Sequence, residues 1–97
     1  MTASRESRLK SWRIEVKPAA EKQYIRLDKK TRGRIKAALH DLESEEMPLS
    51  HPRVRPLTGK LKGDYRIRVG GWRVLFTPAG EARVLHVFAI LPRGDAY

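Results

Sequence analysis

The adjacent glycines Gly70 and Gly71 constrain this chain more than any other feature. They sit in the run YRIRVGGWRVLF, residues 65–76, between two segments that alternate apolar and basic residues. A glycine pair between alternating runs predicts a β-hairpin with a two-residue turn, because such a turn needs positive φ angles that glycine adopts without steric cost. The turn then sets the register. Val69 faces Trp72, Arg68 faces Arg73, Ile67 faces Val74, Arg66 faces Leu75 and Tyr65 faces Phe76. Side chains alternate between the two faces of a strand. Tyr65, Ile67, Val69, Trp72, Val74 and Phe76 therefore share a face, which must be core, while Arg66, Arg68 and Arg73 share the other.

Like charges directly across a sheet destabilise it, so the opposition of Arg68 and Arg73 needs an explanation. Two readings stand: the arginines receive an anion such as phosphate, or they form the solvated outer face of a basic protein. The chain has 21 Lys and Arg against 11 Asp and Glu, a formal charge of +10. That balance points to nucleic acid, an anionic surface or an acidic protein partner.

A length of 97 residues predicts one domain with a modest core. The absence of cysteine excludes disulfides and thiolate metal sites. No apolar run approaches the roughly 18 residues of a membrane span, and the N-terminus has no apolar signal segment. A cytoplasmic protein is expected.

Residues 1–11 are polar and aperiodic and read as a flexible tail, with the folded domain over residues 12–97. Trp12, Ile14 and Val16 alternate with charged residues, as in a half-buried strand. Pro18 suits a helix start, and Ala20, Tyr24 and Leu27 recur on a helical stripe. Ile35, Ala38, Leu39 and Leu42 form a second stripe over about residues 31–45. Residues 47–56 hold three prolines and read as a loop or extended crossover. Lys60 and Lys62 flank Leu61 just before the hairpin. Thr77-Pro78-Ala79-Gly80 reads as a turn, and residues 83–90 as a further strand. His86 in that strand is expected to be a core histidine sharing a face with Val84 and Phe88, and Trp72 is core by register. The three histidines show no metal-ligand spacing, so no metal and no cofactor are expected. The predicted fold is α+β: a twisted antiparallel sheet, made of the N-terminal strand and a three-stranded meander, with a helical hairpin packed on one face. The arginine face is left open.

The run RPLTGKLKGDYRIRVGGWRVLF resembles the central block of the RelE/ParE toxin superfamily of type II toxin–antitoxin systems. The upstream strand and helical hairpin fit the layout of that family, and the ending AILPRGDAY is similar to its closing segment, where an arginine shortly precedes a tyrosine. The resemblance implies a RelE-like fold. It also implies, for the RelE branch, a ribosome-dependent mRNA endonuclease that cuts in the A site by 2′-OH attack and so inhibits translation. The ParE branch instead inhibits DNA gyrase and needs no nuclease residues; a plain basic nucleic-acid-binding module is a third reading.

Motif positions of RelE-like nucleases fall on Arg66 and Arg68, where relatives carry lysines, on Arg73, and on Arg93 and Tyr97. By this resemblance those five are the candidate catalytic residues. Arg73 and Arg68 would hold the phosphate, Arg93 would neutralise the leaving oxygen, and Tyr97 would orient a base. Arg66 would complete the cation cluster. Lys60, Lys62 and Arg83 are candidate RNA or ribosome contacts. Two departures stand out: arginine is a poor general base, and Pro92 stands where many relatives have histidine. The implied partners are a cognate antitoxin, in a toxin–antitoxin hetero-oligomer, and the ribosome with mRNA in its A site; no membrane is involved.

Overall fold

The computed structural model describes residues 12–93; the expected tail over residues 1–11 and the candidate Tyr97 lie outside the described residues. The elements run β1 (Arg13–Val16), α1 (Pro18–Ile25), α2 (Lys29–Ser44), β2 (Val54–Pro56), β3 (Tyr65–Val69), β4 (Trp72–Ala79) and β5 (Val84–Pro92), with 3-10 turns at Pro48–Ser50 and Gly59–Leu61. They build an α+β fold around one five-stranded sheet of order β1-β5-β4-β3-β2.

The hairpin register is as the glycine turn demands, from Val69 opposite Trp72 to Tyr65 opposite Phe76. Gly70 takes φ +59° and Gly71 does not take a positive φ, the pattern of a type II′ turn with glycine at its first central position. Ile67, Val74 and Phe76 are fully buried and join Ala20, Leu27, Ile35, Ala38, Leu42, Leu85 and Val87 in one core. Both helices therefore cover the face opposite the arginines. Pro18 opens α1. Asp28 caps α2, its carboxylate accepting from the Thr31 N–H at 3.1 Å and from the Thr31 hydroxyl at 2.6 Å, which satisfies a donor that the helix itself leaves orphaned.

Three features differ from the sequence-based expectation. The sheet is mixed rather than antiparallel, because β1 lies parallel to β5, with Ile14 beside Leu85. A fifth strand, β2, occupies the proline-rich segment and sets Val54 opposite Ile67 and Arg55 opposite Arg66. It is an edge strand, where Pro56 costs no ladder hydrogen bond. The expected turn at residues 77–80 is instead the end of β4, which stays paired with β5 to Ala79 opposite Val84. Pro78 lies two residues beyond Phe76, so its missing N–H would point toward β3. That strand begins only at Tyr65, the partner of Phe76, so no bond is lost.

A register shift between Leu75 and Phe76 places one extra residue, Phe88, in β5, as a β-bulge does. The shift turns the Ile90 N–H toward the side of β1, which has already ended. Gln23 of α1 takes its place, its Oε1 accepting from Ile90 N at 2.7 Å. No described helix is long and apolar enough to cross a membrane.

Candidate functional site

The open face of the sheet is built from alternation. Arg55 on β2, Arg66 and Arg68 on β3 and Arg73 on β4 fall on the same face because their strand neighbours Val54, Ile67 and Val74 fill the core. Arg68 donates its main-chain N–H outward to Arg53 O at 3.2 Å. Arg68 and Arg73 thus form a non-hydrogen-bonded cross-strand pair, the kind with the closest side chains, about 4.5 Å between Cα atoms. Arg55 and Arg66 are cross-strand partners on the other side.

Two of these guanidiniums are tethered. Arg66 Nη1 donates to Arg53 O at 3.2 Å, and Arg55 Nη1 donates to Pro52 O at 2.8 Å and to Val54 O at 2.9 Å. Arg66 and Arg73 are half-buried, and Arg73 Nε is buried. Leu75, the cross-strand partner of Arg66, is only 2% exposed although it lies on this open face; long basic side chains commonly cover apolar surface in this way. Burial, followed by the charges of Arg68, Arg55 and Arg73, pushes the Arg66 guanidinium below its ordinary pKa. Among the described residues no carboxylate forms a salt bridge with Arg55, Arg66 or Arg68. The repulsion among those three is therefore not offset by a salt-bridged carboxylate, and preorganised cations of this kind favour whatever negative charge is brought to them.

The structure brings Arg66, Arg68 and Arg73 together, and it adds Arg55. Arg55 was missed because prolines bracket β2; the alternation of Arg53, Val54 and Arg55 was the signal that marked it. Arg93 is exposed at the same end of the sheet, two residues past Leu91, the partner of Arg73. Its main-chain N–H donates to Gly71 O at 2.7 Å. Lys60 and Lys62 are exposed on the 3-10 turn leading into β3. Arg83 lies apart: it occupies the turn between β4 and β5 at φ +56°, about 20 Å along β4 from Arg73 at the usual rise per residue. His86 is not a core histidine. It shares the open face with Phe88, half-buried, and its Nδ1 lies 3.3 Å from Glu15 Oε1.

On the helical side, a cavity of about 670 Å³ runs between β1 and the helices, lined by Ile14, Val16, Tyr24, Leu39 and Ile90. Val16 at its mouth is 41% exposed.

Residues 14–97 match the family model described as the ParE toxin of the type II toxin–antitoxin system parDE. Comparison with curated protein sequences returns no match. Among solved structures, the chain is similar to one chain of the archaeal RelE–RelB complex from Pyrococcus horikoshii. There the identity is 27% and the TM-score 0.72, covering 89% of this chain and 99% of that one. It is also similar to the YoeB/ParE toxin from Agrobacterium tumefaciens, at 16% identity and TM-score 0.69, over 84% and 98% of the two chains. The isolated Escherichia coli RelE toxin matches at 20% identity and TM-score 0.66, over 89% and 88%.

Proposed function

This chain belongs to the ParE toxin family of type II toxin–antitoxin systems, and we propose that it arrests growth by cutting mRNA on the translating ribosome. The observation that carries this reading is the cluster of Arg55, Arg66, Arg68 and Arg73 on one open sheet face, with Arg55 and Arg66 held by main-chain carbonyls. The likeness to the archaeal RelE–RelB complex supports it.

In this reading the ribose 2′-OH attacks the adjacent phosphorus, and the bond to the 5′-oxygen breaks. The products are a 2′,3′-cyclic phosphate and a free 5′-hydroxyl. Negative charge grows on the phosphate oxygens and on the departing oxygen. Arg73 and Arg68 face the phosphate, where fixed donors do most when they are set before the reaction. Arg93 neutralises the leaving oxygen, and Tyr97 orients the base. Arg66 and Arg55 deepen the local positive potential. Arg66 holds its proton less firmly than an ordinary arginine but stays cationic, so its contribution is electrostatic.

The second reading is inhibition of DNA gyrase, and the description of the matching family favours it. Arg73→Ala separates the two. Loss of growth arrest together with intact gyrase supercoiling supports the nuclease; full arrest by the variant, with unchanged translation, supports the gyrase inhibitor. In either case we propose a cognate antitoxin as partner, since the similar archaeal protein is found as a RelE–RelB complex. The apolar cavity beside β1 offers a seat for an apolar antitoxin segment, and the charge of +10 suits an acidic one.

A further inference from the structure

Every described aromatic residue but one belongs to the core or packs against it: Trp12, Tyr24, Tyr65, Trp72 and Phe76 all do. Phe88 is the exception. It is the extra residue of the β5 bulge, half-buried, and it lines a shallow cleft of about 360 Å³ with His86, Thr77, Asp64 and Lys17 on the open face. Within the cleft the Thr77 hydroxyl donates to Asp64 Oδ1 at 2.8 Å, and Glu15 lies 3.3 Å from the His86 ring.

We propose that this cleft is a nucleobase subsite that selects the base flanking the phosphate held by the arginines. The proposal rests on the RNA reading above. Arg73 is paired with Leu91, and Phe88 is three residues away along β5, about 10 Å at the usual rise. A single strand laid across the sheet with one phosphate at Arg73 brings a neighbouring base to Phe88. The phenyl ring and the adjacent imidazole supply the apolar faces on which unpaired bases stack. Thr77 spends its only proton on Asp64, so the pair presents acceptors, the carboxylate foremost. Acceptors match the amino hydrogens of adenine, cytosine or guanine better than the carbonyl-rich edge of uracil. Lys17 at the rim meets the phosphate of that nucleotide.

The test is fluorescence anisotropy with labelled hexaribonucleotides, oligo-A, oligo-C and oligo-U, and the full-length protein. Wild type is expected to bind oligo-A or oligo-C more tightly than oligo-U. Phe88→Leu, which keeps an apolar side chain but removes the ring, should weaken all three by about tenfold, the scale of base–aromatic stacking; Phe88→Tyr should restore them. Asp64→Asn should erase the preference against oligo-U. Circular dichroism spectra matching wild type confirm that the variants fold. Binding that Arg73→Ala weakens, but that ignores Phe88→Leu and Asp64→Asn, overturns the subsite and leaves the arginine site standing. No binding of any hexaribonucleotide by wild type overturns the subsite alone, and the RNA reading is then judged separately by cleavage of mRNA on the ribosome.

Discussion

The main-chain N–H of Arg93 donates to the carbonyl of Gly71 at 2.7 Å, which ties the end of β5 to the turn that sets Arg68 against Arg73. The bond uses no side-chain atom. Arg93→Ala should therefore leave stability within about 0.5 kcal/mol of wild type, as exposed surface changes do. Its RNA cleavage should fall by about 10²–10³, the usual loss when one transition-state donor is removed. Thermal unfolding and single-turnover cleavage measure the two quantities separately.

Arg68 faces Arg73 in a close cross-strand pair, and relieving one like charge should stabilise the sheet. Arg68→Thr is expected to gain about 0.2–1 kcal/mol while losing activity. Added salt screens the same repulsion, so the melting temperature of wild type should rise with ionic strength more than that of the variant. A variant less stable than wild type at low salt would contradict this account of the cluster.

Much of this arrangement was legible in the sequence, because a glycine pair fixes a hairpin register residue by residue and with it the arginine face. The helical stripes also held, with Ala20, Ile35, Ala38 and Leu42 all buried. What was hidden depended on contacts distant in sequence. The parallel pairing of β1 joins residues about 70 apart. The three residues of β2 include one buried apolar side chain, Val54, too little for a periodic signal. The extension of β4 through Pro78 became possible only where β3 had not yet begun. The position of Phe88 and His86 on the open face follows from the bulge, which no local pattern announced.

Gln23 replaces a strand that has ended, accepting the Ile90 N–H at 2.7 Å in a partly buried setting. Gln23→Ala should leave that donor unsatisfied and cost about 1–3 kcal/mol, measured by urea denaturation. Gln23→Glu keeps an acceptor and should recover most of the loss.

The Asp28 carboxyl is held below its ordinary value of 3.8, first by the Thr31 hydroxyl and then by the Thr31 N–H. A carboxyl whose folded pKa is depressed stabilises the fold above its unfolded pKa, and that contribution fades as pH falls through the folded value. The melting temperature of wild type should therefore drop more steeply below about pH 4 than that of Asp28→Asn, which caps the helix without titrating.

Cleavage of RNA at the arginine face is the central property of the proposed toxin. Primer extension on a reporter mRNA in a cell-free translation reaction, with wild type and Arg73→Ala in parallel, reads this directly. The prediction is discrete cuts at A-site codons that appear only while ribosomes translate and vanish with Arg73→Ala. An uncut message and undisturbed protein synthesis in the presence of folded wild-type protein would contradict it.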